Sequence, residues 1–195
     1  MGRQGYALTL FFGVIGCAGP AFAHQGQAGG FLTGLSHPVS GLDHVAAMVA
    51  VGLWGAQLGS PALWLLPVAF PMVMALGAFL ALAGMGLPGV EVGIAVSGIA
   101  LGLMVLLEAR PRLRAAILVV SVFAIFHGHA HGTELPPDQS GLAYSAGFVI
   151  STGLLHATGI AIGTIHRWKF GELTVRALGA VIMAGGSYFL WQALT

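Results

Sequence analysis

The sequence predicts an all-α protein, a polytopic membrane helix bundle with about six transmembrane helices after an amino-terminal signal segment. Three observations predict it. Hydrophobic residues make up 57% of the 195-residue chain and charged residues 7%, with mean hydropathy +0.91; soluble domains carry about a quarter charged residues. The apolar residues fall into stretches near the ~20 residues that cross a bilayer, set apart by glycine, proline and arginine. The 31 glycines are too many for ordinary soluble helices, whereas membrane helices use small residues to bring backbones close together.

Residues 1–23 have the form of a cleaved signal peptide. Arg3 gives a positive start, Tyr6 to Ala18 a short apolar core, and Ala21-Phe22-Ala23 a small-x-small cleavage site. Residues 24–195 then form one six-helix membrane domain. Two alternatives stay open: processing at Val14-Ile15-Gly16-Cys17, which loosely resembles a lipoprotein site, and a retained segment that adds a seventh span. His24 to Leu35 read as a glycine-rich, polar, extracytoplasmic lead-in.

Six hydrophobic stretches follow, from Gly41 to Leu58, Ala62 to Ala83, Val90 to Leu107, Leu113 to His131, Gly141 to Ile165 and Leu173 to Leu194. The breakers between them are Gly59-Ser60-Pro61, Gly86-Leu87-Pro88-Gly89, Arg110-Pro111, Pro136-Pro137 and Gly171. Pro67 and Pro71 should kink the second span. Ser97, Gly98 and Gly102, and Gly147, Ser151, Gly159 and Gly163, repeat at helical spacing and suit close helix contact.

Cations set the orientation. Arg110, Arg112 and Arg114 precede the fourth span, and Arg167, Lys169 and Arg176 surround the start of the sixth. The loop between spans four and five has neither Lys nor Arg but carries Glu134 and Asp138. Both basic loops are therefore expected in the cytoplasm. A bacterial inner (plasma) membrane location follows, with both mature termini periplasmic.

Two clusters break the apolar pattern, HPVSGLDHVAAM from His37 to Met48 and FHGHAHGTE from Phe126 to Glu134. They hold five of the eight histidines and two of the six acids. Ionisable groups at membrane depth cost several kcal/mol, so a cluster there implies a use. The expected topology brings His37, Asp43, His44, Glu91, His127, His129, His131 and Glu134 to one membrane face. Imidazole with carboxylate suits nickel, copper, zinc or cobalt, so these are candidate metal ligands. His44 and Met48 share a helix face, as do His127 and His131. His129 points the other way unless Gly128 and Gly132 let the helix unwind. Asp43 either ligates or orients His44. Glu134 is either a ligand or an entrance carboxylate that attracts cations. Glu91 is a ligand or a helix-start acid favoured by the macrodipole.

His156 lies deeper, roughly 20 Å into the fifth span at 1.5 Å per residue. It is either a polar contact of Thr152 or a second metal station. His24, the first residue after cleavage, offers an amine and a ring nitrogen to one ion, or is incidental. His166, beside Arg167 and Trp168, is assigned no role.

The composition also excludes functions. Net charge +1 gives no basic field for nucleic acid. Cys17, the one cysteine, allows no internal disulfide or thiolate cage. No phosphate-binding G-x-x-x-x-G-K-[ST] loop is present, so the chain hydrolyses no ATP. No organic cofactor is implied. The expected partners are a divalent metal ion and the lipid bilayer, with a second copy of the chain left open.

HPVSGLDHVAAMVAVGLWG, FHGHAHGTE and GFVISTGLLHATG resemble the signature segments of the HupE/UreJ family of nickel and cobalt permeases. The resemblance spans nearly the whole chain. It implies secondary uptake of Ni²⁺ or Co²⁺ for hydrogenase, urease or cobalamin enzymes, a transporter rather than an enzyme. On matching positions it places His37, Asp43 and His44 in the first motif and His131 and Glu134 in the second, with Glu91 at the start of span three. Two other readings stay open: an intramembrane zinc hydrolase, for which HExxH is absent, and a non-transporting metal sensor or delivery protein. Haem held by paired histidines is weaker still.

Overall fold

A computed structural model gives the structure of residues 27–135 and 140–195. Seven α-helices fill them: α1 (Gln27–Ser40), α2 (Leu42–Leu58), α3 (Ala62–Leu82), α4 (Val90–Leu106), α5 (Leu113–Thr133), α6 (Gly141–Gly163) and α7 (Lys169–Leu194). A 3₁₀ turn, Thr164–Arg167, links the last two. The described residues contain no strand. The signal segment, its cleavage site and His24 lie outside the described residues.

Each of the six expected stretches is a helix, but they are not six equal spans. Helices α3, α5, α6 and α7 are each long and apolar enough to cross a membrane. The pair α1 and α2 meets that test only jointly, as a span broken by an 81° bend at Gly41. Helix α4 has 17 residues, a rise of about 26 Å at 1.5 Å per residue. The chain is a helical membrane protein.

From Gln27 onward, the polar lead-in expected over 24–35 is instead part of α1, which lies along α6. Its glycines mark packing. A side chain at Gly34 would overlap the Tyr144 backbone, and one at Gly147 would overlap the Phe31 carbonyl. Small residues bring these backbones together, and that contact turns a glycine-rich stretch into a docked helix.

Helix α2 is the centre of the bundle. It packs on α3, α4, α6 and α7, and every residue from Ala50 to Gln57 is buried. A helix that is apolar on all sides has no solvent or lipid face to choose. Gly52 of α2 meets His156 and Gly159 of α6, where a Cβ would collide with backbone. The remaining helices pair as α3 with α5 and α4 with α7. Helices α3 and α7 expose Trp64, Phe79, Val181, Tyr188 and Trp191, an apolar surface suited to lipid. Helix α3 continues through Pro67 and Pro71 as one element.

The small residues expected on single faces divide between partners. Gly98 and Gly102 lie against Gly186 and Gly179 of α7, whereas Gly147 meets α1, and Gly159 and Gly163 meet α2. Ser97 leaves the packing seam and turns to a histidine.

Candidate metal centre

The 81° bend builds the site. The last turn of α1 carries His37 and the first turn of α2 carries Asp43 and His44, so the bend between the two helices brings both histidines to one place. Helix α5 presents His131 there from its last turn. The His131 ring lies 4.8 Å from that of His37 and 4.4 Å from that of His44, between centroids. Glu134 caps α5, and its Oε2 accepts from His37 Nε2 at 2.9 Å and lies 3.8 Å from His131 Nδ1. The second distance is an ion-pair approach, too long for a hydrogen bond. The imidazoles of His131 and His37 beside it hold the Glu134 carboxyl below its usual range, against the opposing effect of burial.

One nitrogen each of His37 and His131 and one Glu134 oxygen all lie within 4.8 Å of one another. They border a cavity of about 330 Å³ that Asp43, His44 and Glu91 also line. Four helices thus contribute six ionisable side chains to one space.

Neighbouring groups fix the ring tautomers. Asp43 Oδ1 accepts the His44 backbone N–H at 2.8 Å and faces His44 Nδ1 at 2.9 Å. A carboxylate accepts only, so Nδ1 carries the proton. His44 Nε2 is left buried, with a free lone pair and no partner. His127, one turn before His131, is fully buried, and its ring lies 4.7 Å from that of His44. The Ser97 hydroxyl donates to the Ile94 carbonyl at 2.6 Å, so His127 Nε2–H donates to Ser97 Oγ at 2.9 Å. His127 Nδ1 is then the buried, unpartnered lone pair. Orienting a ligand through its second nitrogen is the usual arrangement at metal-binding imidazoles.

The family model for HupE / UreJ protein matches residues 12–189. The chain belongs to the HupE/UreJ family. It is 44% identical over 171 residues to Protein HupE of Rhizobium leguminosarum bv. viciae, an alignment covering 87% of this chain and 90% of that relative. No solved structure matches it.

Of the residues expected to gather, this family member brings together His37, Asp43, His44, Glu91, His131 and Glu134, with His127 against His44. His129 does not join them. Helix α5 stays regular through Gly128 and Gly132, since both glycines face backbone of α3 that holds them in register. His129 Nε2 therefore turns to the Met85 carbonyl, at 2.9 Å. His156 stands apart in the bundle interior, 2% exposed, with neither nitrogen hydrogen-bonded. The contact expected with Thr152 is not a hydrogen bond, as Thr152 Oγ1 has no partner either. Buried Phe70 touches both His127 and His156, with centroids 5.5 and 5.6 Å away. His166 closes its 3₁₀ turn through Nδ1 on the Gly163 carbonyl, 2.7 Å.

The sequence reading missed Ser97 as a positioning group and Tyr144 and Phe148 as ring neighbours of His37 and His131. The only signal for Ser97 was a hydroxyl in an apolar span. The aromatics gave none, because their placement depends on α1.

Proposed function

We propose that the chain is a secondary, ATP-independent permease for a divalent transition-metal ion, Ni²⁺ foremost and Co²⁺ next, supplying metalloenzymes such as hydrogenase or urease. The observation that carries this reading is the convergence of His37, His131 and Glu134 within 4.8 Å inside a cavity lined by Asp43, His44 and Glu91. Mixed imidazole and carboxylate donors suit borderline first-row ions. Membership in the HupE/UreJ family, associated with nickel and cobalt uptake, supports the same reading.

The positive-inside rule gives the direction. The arginine-bearing ends of α4, α5 and α7 face the cytoplasm, and the histidine end faces the periplasm across the inner membrane. Both mature termini then lie outside, after removal of residues 1–23. The six hydrophobic stretches count as six spans, with α1 folded back at the outer face.

Hydrated metal ion enters the cavity, drawn by Glu91 and Glu134, and exchanges waters for His37, His131 and Glu134. His44 and His127 offer the next lone pairs inward, and His156 beyond Phe70 is the deeper station. His24 adds an outer chelating group if processing frees it. Movement of two charges down an inward-negative potential supplies about 4.6 kcal/mol per 100 mV.

Radiolabelled Ni²⁺ uptake into proteoliposomes tests the proposal, with Co²⁺, Zn²⁺ and Cu²⁺ as competitors. Saturable, potential-dependent uptake that is lost in both His37→Ala and His131→Ala is the expected result. A folded protein that binds metal and moves none would overturn it.

A further inference from the structure

Two buried oxygens at the arginine end have no part in the histidine site. Gln57, on the last turn of α2, is 4% exposed, and its Nε2 donates to the Val105 carbonyl at 3.0 Å. Its Oε1 is buried and has no partner. The same Val105 carbonyl accepts the backbone N–H of Glu108 at 3.2 Å, so the Gln57 amide and Glu108 meet at one atom. Glu108 Oε1 is likewise buried without a hydrogen-bond partner. Trp54 Nε1 donates to the Ala109 carbonyl at 2.8 Å and pins this turn to α2. Arg176 of α7, beside the carboxyl end of α4, is engaged elsewhere, with Nε on the Leu106 carbonyl at 3.0 Å and Nη1 3.4 Å from Glu172 Oε1.

The backbone adds to this. Glu108 has φ +48°, the left-handed conformation that glycine usually supplies after a helix. Its N–H on Val105 and the Ala109 N–H on Met104 close the turn in that manner. A glutamate there is strained by its own Cβ. Its carboxyl is held where the backbone alone would favour no side chain.

We propose that Glu108 Oε1 and Gln57 Oε1 form a divalent-cation release site at the cytoplasmic mouth, an inference that rests on the permease reading. Gln57 lies five residues beyond Gly52, the residue that packs on His156, or about 7.5 Å further toward the arginine end. The donors change from imidazole to oxygen along this path. Oxygen donors hold borderline ions less tightly than imidazole does, so an ion passed from His156 leaves for water.

The test uses the full chain carrying His37→Ala and His131→Ala, purified in detergent, with free Mn²⁺ followed by electron paramagnetic resonance. Mn²⁺ favours oxygen donors. One weak site is expected to remain, weakened about tenfold or more by Glu108→Gly or Gln57→Leu. Glycine suits the turn, so Glu108→Gly should not lower Tm. In vesicles, Glu108→Gly in the otherwise native chain should cut Ni²⁺ Vmax about tenfold with KM unchanged. Residual Mn²⁺ binding that is absent or indifferent to both changes overturns the site, and unchanged Vmax overturns its release role. If the native chain moves no ion, the permease reading falls while Mn²⁺ binding still decides the site.

Discussion

The histidines near the cavity, half-buried to buried, and the one deep in the bundle have different surroundings. His44 is fixed by Asp43 and His127 by Ser97, and His37 is bonded to Glu134. Each of these three rings has one nitrogen spoken for and its orientation set, whereas His131 has neither nitrogen hydrogen-bonded and lies 3.8 Å from Glu134. His156 has no such partner, and its ring contact is Phe70. A preorganised set of donors binds because little ordering is left to do. An unpartnered imidazole in an apolar pocket can accept an ion without holding it as tightly. On the proposed permease reading, the comparison separates capture from passage.

The largest effect should come from removing a capture ligand. His131→Ala is expected to lower Ni²⁺ uptake at limiting concentration by about 100-fold, at or above the upper range seen when supporting groups of metal sites are lost. The loss should appear in KM, and metal binding by the purified protein should fall in parallel. His156→Leu is the counterpart. It should lower Vmax about tenfold while leaving metal affinity at the cavity intact. If both variants change the same parameter, the division between capture and passage is wrong.

A subtler change tests whether preorganisation matters. Ser97→Ala leaves every candidate ligand in place and removes only the acceptor that orients His127. Affinity should fall about tenfold, near the lower bound for such supporting groups. Ser97→Thr, which keeps the hydroxyl, should recover most of it. An effect of Ser97→Ala equal to that of His127→Ala would show that His127 acts only through this bond.

Glu134 allows the pH dependence to be apportioned. Its carboxyl is held below the ordinary range by His131 and His37, so the folded protein favours the ionised form. That contribution is fully present above the unfolded value near 4.3 and is lost as pH falls through the lower, folded value. Ligation also requires neutral imidazoles, whose ordinary value is near 6.5. Between about pH 7 and 5 the Glu134 carboxylate stays ionised, so a decline of metal binding in that window does not report it. Glu134→Gln should weaken binding several-fold at every pH in that window without changing its slope. A flattened profile in Glu134→Gln would place the titration on the carboxylate instead.

Much of this was legible in the sequence, for physical reasons that also mark where it stopped. Helices α3, α5, α6 and α7 were legible because lipid demands long unbroken apolar runs. His37, Asp43, His44, His131 and Glu134 stood out because charge is expensive at that depth. Helix α1 was not legible: its glycines look like a flexible lead until Tyr144 and Phe31 show the backbone contacts they permit. The 81° bend was hidden with it, and so was the means by which His37 reaches Glu134. Ser97 was read as packing because a serine on a glycine-rich face fits that role equally well. Gln57 and Glu108 drew no notice, since their shared contact at Val105 joins α2 to a turn some fifty residues later.

The smallest effect separates position in sequence from position in space. His129 sits within the densest histidine run of the chain, between His127 and His131, yet it bonds the Met85 carbonyl and faces away from the cavity. That bond ties α5 to the segment leading into α4. His129→Leu removes a hydrogen bond of roughly 1 kcal/mol net and leaves the capture residues untouched. Thermal unfolding in detergent should shift down slightly, while Ni²⁺ affinity and Vmax should match the native chain. A substantial loss of affinity in His129→Leu would mean that the last turn of α5 unwinds around Gly128 and Gly132 when metal binds. The cavity would then gain a third imidazole from α5, and its preorganisation would be less complete than the partners of His44 and His127 imply.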